Sequence, residues 1–188
     1  MRDSMGVDNL PDDLPVPCDD GGADHLVGRS MPSLALPATI GGKVNLAEPG
    51  RAVYFIYPMT GRPGQALPQG WDDIPGARGC TPQSCHFRDL YEDFRALGYA
   101  VFGVSAQSSE WQREASHRLH LPYALLSDEL LALQSELALP TFTVEGAQLY
   151  KRLTLIVHRS TIVQCFYPVF PPDRNAADVL HWLRDNGR

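Results

Sequence analysis

Gly76-Ala-Arg-Gly-Cys80-Thr-Pro-Gln-Ser-Cys85-His-Phe-Arg-Asp89 is the stretch whose reading decides the fold. It reads as a loop passing into a helix. Thr81-Pro82 is a helix-start signal: threonine can cap, and proline is tolerated at the first helical position because its missing N–H would be unpaired there. Beyond it, Phe87, Leu90, Tyr91, Phe94 and Leu97 recur at three- and four-residue spacing. That apolar stripe predicts one helix facing a core, closed by Gly98. Cys80 falls at its N-terminus, where free amides and the positive end of the macrodipole stabilise an anion. The thiolate is the reactive form of cysteine, so Cys80 is the candidate nucleophile of a redox centre. Arg78 and Arg88 are candidate neighbouring charges, and Cys85 is the candidate disulfide partner.

The spacing of the pair has a mechanical consequence. Five residues along a helix is about 7.5 Å of rise and roughly 140° of rotation, which puts the two Cα atoms about 8.7 Å apart. A disulfide usually requires less than about 7 Å. Cys80 and Cys85 can bond only if the first turn and a half of the helix unwinds. The reduced and oxidised forms are therefore expected to differ over residues 79–88.

Working outward, Ala52-Val-Tyr-Phe-Ile-Tyr57, stopped by Pro58, is a continuous apolar, aromatic and β-branched run. It reads as a strand buried on both faces. Tyr99 to Val104 is a second such strand. Between Pro58 and the helix lies GRPGQALPQGWDDIPGARG (61–79), a connection dense in glycine and proline with Trp71 and Ile74 as apolar anchors. Structureless connections of that length are unusual in compact domains and often functional. The segment is either a surface insertion held down by Trp71 or a rim for the Cys80 pocket.

Before these strands, residues 1–25 hold many Asp, Gly and Pro and read as an extended or poorly ordered arm. Cys18 lies in it; the plain reading is an exposed thiol, the alternative a redox role. Leu34–Leu46 reads as a small hairpin around Gly41-Gly42. After the Cys80 helix, Ser109-Glu-Trp-Gln112 is a capping box opening a helix to about Leu119. Tyr123–Leu126 is a short strand, and Asp128 caps a helix to about Leu137, ended by Pro140. Arg152–Val157 and Thr161–Tyr167 pair as a hairpin. Asp173 or Asn175 starts a final helix with Ala177, Leu180 and Leu183 on one face. Alternating strands and helices imply α/β architecture, a sheet with helices on both faces, and the terminal hairpin makes that sheet mixed.

The 188 residues suffice for one domain with a substantial core. A formal net charge of −6 argues against nucleic acid as partner. No apolar run approaches membrane-spanning length, and no charged-then-apolar leader opens the chain. The cytoplasm is the expected location. Four cysteines in a protein of that compartment suggest catalysis or metal binding rather than a disulfide framework.

Element order and motifs together resemble the peroxiredoxin Q, or bacterioferritin comigratory protein, group of thioredoxin-like peroxiredoxins. Gly79-Cys80-Thr81-Pro-Gln-Ser-Cys85-His-Phe-Arg-Asp89 looks like that group's Gly-Cys-Thr-x-x-x-Cys-x-Phe-Arg-Asp signature. Gly103-Val-Ser-Ala106, Leu125-Leu-Ser-Asp128 and Arg152-x-Thr-Leu-Ile-Val157 are similar in the same order. The resemblance covers roughly residues 30–188, within a domain read as 26–188. It implies a thioredoxin-like fold with a central mixed sheet. It also implies a thiol-dependent peroxidase acting on hydrogen peroxide or organic hydroperoxides, an atypical two-cysteine peroxiredoxin without cofactor or metal. Cys80 would be peroxidatic and pass through a sulfenic acid; Cys85 would resolve it as a disulfide. Thioredoxin or a similar reductant would restore both thiols, and the chain would be a monomer or homodimer. Arg152 matches the arginine that stabilises the leaving oxygen.

The chain departs from the family at one place. The usual Pro-x-x-x-Thr-x-x-Cys puts threonine three residues before the cysteine, where this chain has Ala77. Pro58-Met-Thr60 resembles the front half of that motif, cut off by the insertion, so Thr60 is expected to reach the site if 61–79 bulges outward. Rival readings are a thiol–disulfide oxidoreductase and a redox-sensing binding module on the same fold. Five-residue spacing argues against the first, since Cys-x-x-Cys fits one helical turn. His86 beside Cys85 invites a metal reading, but the second ligand pair of structural zinc sites is missing, with Cys165 the remaining candidate. Cys165 itself reads as a strand residue packed in the core.

Overall fold

The computed structural model describes residues 10–186; residues 1–9 of the expected arm, and 187–188, lie outside the described residues. From residue 10 to 29 the chain carries neither helix nor strand. A hairpin of β1 (Ala35–Pro37) and β2 (Lys43–Asn45) follows, antiparallel, with Gly41 and Gly42 at positive φ in the turn.

The apolar run before Pro58 forms β3 (Arg51–Ile56). The reactive stretch forms α1 (Cys80–Asp89), and α2 (Tyr91–Ala96) follows. Then come β4 (Ala100–Ser105), α3 (Ser109–Arg118), β5 (Ala124–Ser127) and α4 (Ala132–Leu137). The chain ends through β6 (Thr141–Val144), β7 (Ala147–Tyr150), β8 (Leu153–His158), β9 (Thr161–Phe166) and α5 (Asn175–Asn186).

Five strands make the central sheet in the order β5-β4-β3-β8-β9. β3, β4 and β5 run parallel, while β8 and β9 add antiparallel edges, so the sheet is mixed as expected. Along β3 the side chains alternate between two cores. Ala52, Tyr54 and Ile56 enter the core that α4 covers with Leu133 and Leu137. Val53, Phe55 and Tyr57 enter the core covered by Phe87, Phe94, Ala115, Val179 and Leu180, from α1, α2, α3 and α5. A strand covered on both faces needs no polar alternation, which is why its sequence is continuously apolar.

Several local expectations are corrected. Gly79, not Thr81, is the N-cap of α1, at φ 103°, and Thr81 is buried in the first turn. Pro82 is the third helical residue rather than the first; the first intrahelical bond runs from Gln83 N–H to the Gly79 carbonyl, so the missing proline N–H leaves no gap. The single long helix is two, because the backbone at Leu90 (φ −101°, ψ 9°) leaves helical values. Phe87 and Phe94 still share one core across the break: periodicity reports the buried face, not continuity. Ser108, not Ser109, caps α3, its Oγ accepting from Trp111 N–H at 3.2 Å. In α5 the buried face uses Ala176 and Val179 with Leu180 and Leu183, while Ala177 is exposed.

The β6–β7 hairpin was not foreseen. It pairs Val144 with Ala147 around Glu145 and Gly146, both at positive φ, the conformation of a two-residue primed turn. This hairpin receives the 61–79 segment. Trp71 is buried, its ring 6.1 Å from that of Phe142, in a small core with Ala77, Val144 and Leu149.

Candidate active site

Sheet register places the cation. Ile56, the last residue of β3, pairs with Leu153, the first of β8. Arg152 therefore sits where β3 ends and the chain turns through Pro58 toward the reactive loop. Its guanidinium is buried, 3% exposed, and grips the backbone before Cys80. Nε donates to the Gly76 carbonyl at 3.3 Å; Nη2 donates to the carbonyls of Ala77 at 3.0 Å and Arg78 at 3.1 Å. Nη1 donates to Gln83 Oε1 through a short contact. The same Nη2 reaches Cys80 Sγ at 3.1 Å.

Cys80 is buried, 3% exposed, at the first helical position. Its sulfur also accepts from the Met59 N–H at 3.4 Å. As a thiol it donates to the Ala77 carbonyl at 3.7 Å, an oxygen that Arg152 also serves. Ionisation of the thiol thus orphans no acceptor. Two donors, one of them cationic, face the sulfur, and both stabilise negative charge there. The cleft before Cys80 is lined by Met59, Gly61, Leu67, Trp71 and Arg78 among others, and is about 10 Å³ in volume, room for roughly one water-sized group. The 61–79 segment is therefore both held down by Trp71 and a wall of this cleft.

The other expected charges do not reach the sulfur. Arg78 pairs with Asp72 at 3.0 Å. Arg88 pairs with Asp89 at 2.9 Å and donates to the Leu119 carbonyl, two helical turns beyond Cys80.

Thr60 is fully buried next to Met59, but its hydroxyl donates to Gln107 Oε1 at 3.1 Å. Its N–H meets the same oxygen at 2.9 Å, and its carbonyl accepts from Gln107 Nε2 and Trp111 Nε1. No hydrogen bond joins Thr60 to Cys80. Cys85 lies one turn and a half along α1, half-buried, and is not joined to Cys80 in a disulfide. The structure thus brings Cys80 and Arg152 into contact, ties Thr60 to Gln107 and Trp111 rather than to either of them, and keeps Cys85 apart by helix geometry. Cys18 is an exposed free thiol. Cys165 pairs with Leu155 in the sheet, and burial pushes its thiol up to about 12. Among the described residues no cluster of three or more His, Cys, Asp or Glu side chains could hold a metal ion.

Sequence reasoning missed the residues that orient Arg152. Gln83 is fully buried; its Oε1 receives Arg152 and its Nε2 donates to Asn175 Oδ1 at 2.9 Å. Thr154 Oγ1 donates to the same Asn175 oxygen at 2.7 Å. Gln83 stands three residues after Cys80, the spacing that shares a helix face, and that was the available signal. Tyr57 was missed too. Its hydroxyl is buried, and burial, offset in part by the Ser105 side chain, pushes the phenol well above its ordinary value. It stays neutral.

The Redoxin family profile matches residues 26–180. The protein described as "Peroxiredoxin Q, chloroplastic" from Sedum lineare is 34% identical over 163 residues, covering 84% of this chain and 77% of the relative. The protein of the same description from Oryza sativa subsp. japonica is 31% identical over 163 residues; the chain spans only 66% of its length. Among solved structures, Peroxidoxin BcpB from Mycobacterium tuberculosis superposes with a TM-score of 0.69 at 23% identity, covering 86% of this chain and 97% of that one. A cysteine-to-serine mutant of Xylella fastidiosa PrxQ gives 0.70 at 18% identity, covering 87% and 99%. At that identity these likenesses show the fold, which is thioredoxin-like. With a profile spanning most of the chain and a relative above 30% identity, the chain belongs to the Redoxin family, as a peroxiredoxin Q-like protein.

Proposed function

We propose that this chain is a thiol-dependent peroxidase that reduces hydrogen peroxide or organic hydroperoxides. One observation carries the reading: Arg152, a buried guanidinium bonded to carbonyls, Gln83 and Cys80 Sγ, with no carboxylate partner among the described residues. A buried cation needs compensating negative charge, and a Cys80 thiolate supplies it.

In this reading the Cys80 sulfur attacks the terminal oxygen of the peroxide. An S–O bond forms as the O–O bond breaks, and the sulfur is oxidised by two electrons to a sulfenic acid. The leaving oxygen departs as hydroxide or alkoxide and takes up a proton to become water or an alcohol. Arg152 and the Met59 N–H are the donors that stabilise charge during transfer. Thr60 is assigned a supporting part, its hydroxyl turning from Gln107 to the bound peroxide. Cys85 then attacks the sulfenic sulfur, water leaves, and a Cys80–Cys85 disulfide forms once the first turn and a half of α1 unwinds. Thioredoxin or a similar dithiol reduces it and is itself oxidised to a disulfide. The absence of a disulfide among the described residues suits a reducing compartment, and the cytoplasm is the proposed location; the plant relatives carry the word chloroplastic in their names.

The test is steady-state peroxide consumption with thioredoxin, its reductase and NADPH. Cys80→Ser is expected to abolish turnover. Cys85→Ser is expected to stop turnover with thioredoxin while leaving the first oxidation of Cys80 intact. Peroxide loss unaffected by Cys80→Ser would overturn the reading. Multiple turnover also separates an enzyme from a redox-sensing module.

A further inference from the structure

The described part of the N-terminal arm follows the reactive loop along its length. Leu10 lies against Gly79: a Cβ on that glycine would fall 2.8 Å from Leu10 Cδ2. Leu10, Pro11 and Leu14 share a cleft with Pro82 and Pro172. Pro17 lies on Gly76, 3.5 Å from where a Cβ there would stand. Gly76 is the residue whose carbonyl takes Arg152 Nε. Further on, Asp20 pairs with Lys151 at 2.5 Å and accepts from Tyr167 at 2.6 Å, beside Arg152.

Between these ties the arm is loosely seated. Pro17, Cys18 and Asp20 face Ile74, Pro75 and Phe142 across a mostly apolar cavity of about 380 Å³. Close packing is absent there, and the contacts on either side of it include Leu10 at Gly79, Pro17 at Gly76, and the Asp20 ties. The first falls on the N-cap of α1, which must move if the helix unwinds from Cys80 to Cys85, and the second on the loop that leads into it.

We propose that residues 10–22 are a strap that holds the 76–82 segment wound, and so sets the rate of the step from sulfenic acid to Cys80–Cys85 disulfide. The inference rests on the two-cysteine peroxidase reading and adds its regulation. With the strap seated, Cys80 sits in the geometry that meets peroxide, and Cys85 waits. With the strap lifted, the same segment loses its cover and unwinds more readily. A seated strap also prolongs the sulfenic acid, which a second molecule of peroxide converts to sulfinic acid, releasing water. Strap release therefore protects Cys80 from over-oxidation.

The test compares the full-length parent with Leu10→Glu, which unseats the plug, and Asp20→Asn, which loosens the far tie on the surface and keeps the experiment informative if the first variant folds poorly. Each reduced protein is mixed with one equivalent of hydrogen peroxide, quenched with acid over time, alkylated and mapped by mass. Disulfide formation is expected on the order of fivefold faster in Leu10→Glu, the factor for a loss of about 1 kcal/mol of hold, and roughly 1.5-fold faster in Asp20→Asn, whose exposed tie is weaker. The sulfinic fraction in excess hydrogen peroxide is expected to fall in the same order, further in Leu10→Glu than in Asp20→Asn. Equal rates in parent and variants, with the parent forming the disulfide, would overturn the strap and leave the peroxidase reading standing. A parent that consumes peroxide without ever linking Cys80 to Cys85 would overturn the resolving step and the strap with it.

Discussion

Arg152 Nη2 stands 3.1 Å from Cys80 Sγ while the same guanidinium holds the carbonyls of Gly76, Ala77 and Arg78. One side chain thus fixes the loop that delivers the cysteine and supplies the charge beside its sulfur. Positioning and electrostatics share a single residue.

Arg152→Lys separates those two duties. Lysine keeps a charge but cannot span three carbonyls, Gln83 and a sulfur at once. Peroxide reactivity, kcat/KM measured by competition, is expected to fall roughly a hundredfold. Arg152→Met leaves the carbonyls and Gln83 without their donor and is expected to cost stability as well, about 3 kcal/mol or more by denaturant unfolding. A lysine variant with parental reactivity would contradict the role.

Gln83→Leu removes the acceptor for Arg152 Nη1 and the donor to Asn175. Leaving buried polar groups unpaired costs about 1–3 kcal/mol. The variant is expected to melt lower and to react with peroxide more slowly, whereas substituting exposed Gln148, whose side chain bonds Thr141 and not Arg152, should do neither.

Gly79 tolerates no side chain. It holds φ 103°, and a Cβ would fall 2.3 Å from Pro172 Cγ. Gly79→Ala is expected to destabilise the fold by more than about 1 kcal/mol, and to slow Cys80 by displacing the helix start. A thermal melt and a peroxide assay check both.

The pH behaviour of two groups follows from their surroundings. Burial pushes the Cys165 thiol up to about 12, so iodoacetamide at pH 8 is expected to label Cys18 in the native protein and spare Cys165. Native labelling of Cys165 at the Cys18 rate would contradict its burial. The Asp20 carboxyl is held well below the carboxylate range, first by its bond from Lys151 and then by Tyr167. A lowered folded value stabilises the fold above the unfolded value, about 3.9, and that contribution fades as pH falls through the folded value. Asp20→Asn is therefore expected to cost a few tenths of a kcal/mol at pH 7, as suits an exposed pair, and progressively less in acid. A cost that grows in acid would contradict the sign.

How much of this was legible in the chain varies by residue. Ala52–Tyr57 and Tyr99–Val104 could be read because strands covered on both faces must be apolar throughout. The Cys80 helix could be read because its stripe and its glycine stop agree. The β6–β7 hairpin escaped because its turn is Glu145-Gly146, a weaker signal than asparagine or aspartate before glycine. Gly79 displaced Thr81 as cap because the loop must pass under Pro172 and Leu10, neighbours that local sequence does not announce. Gln83 and Asn175 are 92 positions apart, and only the sheet and α5 bring them together. Arg78 and Arg88, near Cys80 in sequence, were candidate neighbouring charges, yet it is Arg152, set by register with β3, that reaches the sulfur.

The most direct measurement is peptide-mapped mass analysis of the reduced protein before and after one equivalent of hydrogen peroxide. Rapid loss of two hydrogens with a Cys80–Cys85 linkage is the predicted result, made through a sulfenic acid that a dimedone trap captures on Cys80. A Cys80 that stays unmodified while peroxide persists would contradict the assignment of this site as a peroxidase.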